Sequence, residues 1–222
     1  MHHEMYQQLV DRELDPRDFG YLSRVDFREA SPRFLSRCLN PAGPRDKSDD
    51  TITIGFPGAF APFHEGHLEA CRLAWAYYTK EYQNVRVVLF PSSSAYLRRK
   101  HGRVDSRWVN GQLVDSRAEE IRKMIAEYPY ISVDWTMCHY EIDLNFPFIV
   151  DRLKSYSTNT VFLVGSDNRN FAPAFFKNSC EFLCIVRDKN VTVDPQLLEG
   201  VIYNELDTTF RSISSSQYRI QQ

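Results

Sequence analysis

The sequence predicts an α/β protein, an open parallel β-sheet with helices on both faces. Three observations predict it. Short runs of β-branched and large apolar residues recur along the chain. Stretches with apolar residues at helical spacing separate them. Four conspicuous polar segments follow at strand ends or at a helix start, where an open parallel sheet holds its ligands.

The elements justify themselves in order. "TITIGF" from Thr51 is a strand, and "HLEACRLAWAYYTK" after it is a helix beginning near Gly66 or His67. "VRVVLFP" is a second buried strand closed by Pro91. "DSRAEEIRKMIAEY" is a helix with charges on one side and Ile121, Met124 and Ile125 on the other. "YISVDWTM" reads as a third strand, "PFIVDRLKSY" as a helix, and "TVFLVG" as a fourth strand ending at Gly165. "FAPAFFKN" reads as a short helix, "EFLCIV" as a fifth strand and "GVIYNE" as a sixth. "ISSSQYRIQQ" starts a last helix. Strands alternating with helices imply parallel pairing with both sheet faces covered.

Residues 1–50 differ from the rest. They are charged and interrupted, with short helical patterns at Met5–Leu14 and Ser31–Leu39, and they end in "NPAGPRDKSDD". We read 1–50 as an N-terminal extension and linker, and 51–222 as the main domain. A net charge of −2 argues against general nucleic-acid binding, which calls for a basic face. No apolar run approaches the roughly 20 residues that span a bilayer, and the start lacks an apolar signal core. The five scattered cysteines read as reduced thiols in or near the core, so the expected location is cytoplasmic. Cys180 and Cys184 have no second Cys/His pair nearby at zinc spacing.

The chemistry concentrates in "GFPGAFAPFHEGHLEAC", Gly55 to Cys71. Gly58 lets the chain approach a ligand closely. The helix that follows offers N–H groups and a dipole suited to an anion. His64 precedes that terminus and His67 lies in its first turn, so both can donate to phosphate oxygens. The alternative is two surface or capping histidines. Metal binding by the pair is weaker, because no carboxylate or thiol partner is evident.

"GAFAPFHEGHLEA" resembles the first signature of the nucleotidylyltransferases at Gly58, Phe60, Pro62, His64, Gly66, His67 and Leu68. "ISSSQYR" resembles the second at Ile213, Ser214, Ser215 and Arg219, with Ser216 in place of Thr. Within that superfamily, the chain is most similar to nicotinamide or nicotinate mononucleotide adenylyltransferases. The likeness rests on "FPSSSAYLRRKHG", "SRAEEIRKMIAEYP", "VFLVGSDN" and "FLCIVRD", and spans about residues 52–220.

The resemblance implies a Rossmann-like fold and an adenylyl transfer from ATP, carried by Mg²⁺, to a phosphorylated small-molecule acceptor. It implies His64, His67 and Arg219 as the catalytic donors. Gly58, Ala59, Phe60, Gly66, Gly165, Asp167, Arg187, Ser214 and Ser215 would line the ATP site. Pro91, Tyr96, Arg98, Arg117 and Phe175 would line the mononucleotide site. Plainer readings stand beside several of these. Arg117 pairs with Glu120 along its helix, Arg98 belongs to a solvated basic run, and Arg187 is structural.

The chain departs from the pattern at Ala59, where Ser or Thr is usual, and at Ala61, where Asp or Asn is usual. An extra stretch, "GRVDSRWVNGQLV", widens the loop after Lys100 and carries Trp108, as an aromatic lid or an exposed tip. Two alternatives follow. One is a nucleotidylyltransferase acting on another phosphorylated small molecule with ATP or CTP. The other is a nucleotide-binding regulator with weakened catalysis. A class I aminoacyl-tRNA synthetase is disfavoured by the lack of a Lys-Met-Ser-Lys-Ser segment. A homo-oligomer is left open.

Overall fold

The structure, a computed structural model, describes residues 48–93, 96–98, 106–109, 112–139, 146–166, 180–187, 198 and 200–208. Six strands form one all-parallel sheet: β1 (Thr51–Gly58), β2 (Asn84–Pro91), β5 (Ile131–Val133), β6 (Asn159–Gly165), β7 (Glu181–Val186) and β8 (Tyr203–Asp207), in the order β5-β2-β1-β6-β7-β8. A separate antiparallel hairpin pairs β3 (Ser106–Val109) with β4 (Gln112–Asp115). The helices are α1 (Glu65–Tyr78), α2 (Ser116–Ile125), α3 (Thr136–His139) and α4 (Phe146–Lys154).

The chain builds outward from β1 to β2 and β5, then returns to place β6 on the other flank of β1. The strand order therefore reverses between β1 and β6. In open parallel sheets a ligand crevice lies at such a reversal, beyond the carboxyl ends of the strands. Register fixes its floor, with Gly58 level with Pro91 and Gly165 level with Ile185.

Alternation along β1 sorts its two faces. Ile52, Ile54 and Phe56 join the core with Leu68, Cys71, Ala74 and Tyr78 of α1 and Ile121 of α2. On the other face, Gly55 lies under Leu153 of α4, where a Cβ would come within 2.6 Å of Leu153 Cδ1. Thr53 Oγ1 on that face is 2.8 Å from Ser157 Oγ. The helices thus cover both faces, as expected. The amino end of the sheet is tied back to Asp49 and Asp50. Asp49 Oδ1 accepts from the Thr51 N–H at 2.9 Å and the Asp50 carbonyl from the Asn84 N–H at 2.9 Å.

Three expectations are corrected. The third strand was expected to run from Tyr130 to Met137, but β5 stops at Val133. Asp134 turns the chain by accepting the Thr136 N–H at 2.9 Å, and a helix begins there instead. The last strand lies at Tyr203–Asp207 rather than 200–205. It is a half-exposed edge, so no buried run marks its ends. The extra stretch after Lys100 contains the β3–β4 hairpin, in which Trp108 is level with Leu113. The helical patterns at Met5–Leu14, Ser31–Leu39, 171–178 and 213–222 lie outside the described residues. Among the described residues, no helix is long and apolar enough to cross a membrane.

Candidate active site

The histidine turn connects β1 to α1. Phe60 makes the bend with a left-handed backbone, φ 46°, which a bulky side chain adopts only when its surroundings hold it there. Its fully buried ring lies against the α-carbon of Gly58 and packs on Phe56 and Phe63 at 5.4 Å each. Any side chain at Gly58 would occupy the space of that ring, which is the physical need for glycine here. The Ala61–Pro62 peptide is cis.

His64 is the N-cap of α1 and His67 stands three residues on. Each imidazole closes one half of a reciprocal cap. His64 Nδ1 accepts the Gly66 N–H at 3.2 Å, and His67 Nδ1 accepts the His64 N–H at 3.2 Å. The i, i+3 spacing is thereby explained as a capping box built from two histidines. An Nδ1 that accepts must be unprotonated, so each neutral ring carries its hydrogen on Nε2. Capping and ligand donation do not compete. The cap uses one nitrogen of each ring and fixes the other as an N–H donor.

The rings are also held as a stack. His64 and His67 centroids are 3.7 Å apart, Phe63 stacks on His67 at 5.3 Å, and Phe60 meets it edge-on at 5.1 Å. Burial, then the charge of Arg187, pushes His64 down to about 4. Burial, then the neighbouring His64, then Arg187, pushes His67 well below the ordinary value. Both are therefore neutral donors near pH 7. Arg187 follows the carboxyl end of β7, where its backbone N–H donates to Ser166 Oγ at 3.0 Å. Gly165, Ser166, Arg187 and the histidine turn thus gather at the carboxyl edge of the central strands.

The wall beside β2 is built differently. Pro91 is buried, and Ser92 donates to the Gly58 carbonyl from its N–H at 2.8 Å and its hydroxyl at 3.1 Å. Tyr96 is buried, with its N–H donating to Ser93 Oγ at 3.3 Å, while Arg98 is exposed. Arg117 is only 4% exposed. Its carboxylate partner is Asp115, not Glu120. Nε donates to Asp115 Oδ1 at 3.0 Å and Nη2 to Oδ2 at 2.7 Å. Nη1 donates to the Ala59 carbonyl at 2.6 Å and Nη2 also to Cys138 Sγ at 3.6 Å. All three guanidinium nitrogens are engaged by protein atoms. Asp167, Phe175, Ser214, Ser215 and Arg219 lie outside the described residues.

Sequence reasoning missed three members of this wall. Asp115 ends β4, caps α2 by accepting the Arg117 N–H at 2.8 Å, and holds the guanidinium. Burial raises the Glu120 carboxyl, and the Phe63 backbone N–H that it faces partly offsets this. The buried Cys138 thiol donates to the Pro91 and Ser92 carbonyls at 3.5 Å. The readable signal for Asp115 was the cap-like "DSRAEE". Nothing local announces the other two. Among the described residues Cys71, Cys138 and Cys184 are buried thiols, as expected.

No protein-family model matches the chain, and no curated protein matches it in sequence. Solved structures do match. That of Plasmodium falciparum nicotinic acid mononucleotide adenylyltransferase complexed with APC is similar with a TM-score of 0.55 and 14% identity, over 77% of this chain and 82% of that one. The chain shares the Rossmann-like α/β fold of that enzyme. A second structure, of the same Plasmodium enzyme complexed with NaAD, matches with a TM-score of 0.47 and 15% identity over the same shares. At 14% identity the first likeness establishes the Rossmann-like α/β fold and nothing finer.

Proposed function

We propose that the protein is a nucleotidylyltransferase that moves the adenylyl group of ATP onto nicotinamide or nicotinate mononucleotide. The observation that carries this is the reciprocal histidine cap, which leaves two neutral Nε2–H donors at the strand-order reversal. A triphosphate is what such donors suit. They supply hydrogen bonds to phosphate oxygens without needing a proton from solvent.

The acceptor phosphate is itself the nucleophile. Its oxygen forms a bond to the α-phosphorus of ATP, the bond from that phosphorus to the bridging oxygen breaks, and pyrophosphate leaves. No protein nucleophile is required, so catalysis is positioning plus stabilisation of charge developing on the phosphoryl oxygens. His64 and His67 donate to those oxygens. Arg187 adds fixed charge from β7, and Ser214, Ser215 and Arg219 are proposed to complete the triphosphate cradle. The acceptor lies along the β2 wall by Pro91, Tyr96 and Arg98, with Phe175 against its ring.

Mg²⁺ is proposed to enter with the triphosphate. The fit is of one kind only. A hard cation takes oxygen ligands and keeps several waters, and the histidine nitrogens nearest the crevice are committed to the cap or to N–H donation. Among the described residues no group of three or more His, Cys, Asp and Glu could hold a metal, so phosphate oxygens and water would hold the ion.

Ala59 and Ala61, which lack the usual hydroxyl and the usual Asp or Asn side chain, favour a second reading in which the acceptor is another phosphorylated small molecule. Incubation with Mg²⁺, ATP or CTP and a panel of phosphorylated acceptors, read by mass spectrometry, tests both. An NAD-type dinucleotide with pyrophosphate supports the first reading and a different nucleotidyl product the second. Binding of nucleotide with no product across the panel leaves a regulator.

A further inference from the structure

We infer that the buried Asp115–Arg117 ion pair is a positioning device for His67, acting through the backbone of the histidine turn. The inference rests on the adenylyl-transfer reading for its catalytic consequence, but not for its structural one. The turn from Ala59 to Phe63 carries the left-handed Phe60 and delivers His64 to the head of α1. Helix α2 grips that turn at its start and faces its end. Arg117 Nη1 donates to the Ala59 carbonyl at 2.6 Å, and the Glu120 carboxyl faces the Phe63 N–H. Phe60 and Phe63, which lie on that turn, are two of the rings that pack on His67.

The guanidinium is itself fixed. Asp115 holds it along one edge through Nε and Nη2, in the fork geometry that only arginine offers. Asp115 is locked in turn, because it caps α2 and ends β4. Arg117 therefore reaches the Ala59 carbonyl from a rigid base. A lysine would carry the charge but could not span both partners. The chain of contacts runs from Asp115 to Arg117, to the Ala59 carbonyl, to Phe60, and to the His67 ring. Since His67 Nδ1 accepts from the His64 N–H, a loosened turn releases the bond that selects the Nε2–H form.

The test is the histidine tautomer, read by long-range ¹H–¹⁵N NMR at pH 7.5 on the whole protein. The wild type is expected to show His64 and His67 as the Nε2–H form. In Arg117→Lys, and in Asp115→Asn, which keeps a capping side chain but removes the charge behind Arg117, His67 is expected to populate both tautomers. Arg122→Lys, an exposed change on the same helix, is expected to leave it alone. If adenylyl transfer is measured, kcat in the two variants is expected to fall by about 10²-fold, the scale of a displacement of about 1 Å, with the KM for ATP changed much less. A pure Nε2–H His67 in either folded variant overturns the inference, as does a kcat loss matched by Arg122→Lys. An intact tautomer shift in a protein without transferase activity supports the brace and sinks the functional reading instead.

Discussion

The rings of His64 and His67 stack 3.7 Å apart with 27° between their planes, and each accepts a backbone N–H on Nδ1. Two roles are thereby separable by substitution. Asn at position 67 places its amide oxygen near the Nδ1 acceptor, so it keeps the cap and removes the distal donor. His67→Asn is expected to remain folded, within about 1 kcal/mol of wild type by denaturant titration. Its adenylyl transfer is expected to fall on the order of 10²–10³-fold, as for other preorganised donors. Near-normal turnover in a folded His67→Asn protein would remove the histidine from the mechanism.

The neutral state of the pair has a consequence for stability. A histidine in the unfolded chain binds its proton near pH 6.5, while His64 in the fold does so only at about 4. Between these values the unfolded state holds more protons. Stability is therefore full above about pH 6.5 and declines as the pH falls towards 4, with a ceiling of roughly 3 kcal/mol from His64. Protonation also turns Nδ1 from acceptor to donor and opens the cap. Urea midpoints from pH 7.5 to 4.5 should drop more steeply for the wild type than for His64→Asn. Parallel curves would show that His64 is not held neutral by the fold.

Gly58 is expected to tolerate nothing larger. An alanine Cβ there would stand 2.5 Å from Phe60 Cε1 and 2.7 Å from Cζ. The ring cannot swing away, being enclosed by Phe56 and Phe63. The strand cannot retreat either, since Ser92 holds the Gly58 carbonyl by two hydrogen bonds. Gly58→Ala should cost about 1–3 kcal/mol, the range for overpacking. Adding Phe60→Leu should return part of that loss in a double-mutant cycle. Strict additivity of the two changes would mean that Gly58 and Phe60 do not press on each other.

What the sequence made legible follows from range. β1, β2, β6 and β7 are central and buried, so each appears as a continuous apolar run. The histidine cap is local, with both partners within three residues, and its capping and ligand readings were both visible. The β3–β4 hairpin was passed over although Asn110-Gly111 falls between the paired Val109 and Gln112, a recognised two-residue hairpin signal. The Arg117 bond to Ala59 joins residues 58 apart, and the Cys138 contacts with Pro91 and Ser92 join residues 47 and 46 apart. Only the sheet order brings these together. A helical arginine with Glu120 three residues ahead read naturally as a surface pair, because nothing in the local pattern shows that its side chain is buried.

Arg187 links the electrostatics of the site to its chemistry. Its charge is the second cause, after burial, of the depressed His64 pKa, and it also acts on His67. Replacing it with an uncharged side chain of similar length removes that repulsion while burial stays. In Arg187→Gln, the His64 pKa is therefore expected to rise above about 4 but to stay below 6.5, as followed by NMR titration of the imidazole carbons. The same change withdraws a cation from the proposed triphosphate. Loss of a charge-assisted hydrogen bond is worth about 1.5–3 kcal/mol, so kcat/KM for ATP should fall by roughly 10–100-fold. The two readouts separate proximity from function. A raised pKa with unchanged kcat/KM would place Arg187 near the histidines but outside the nucleotide's reach. An unmoved pKa would place it away from the pair altogether.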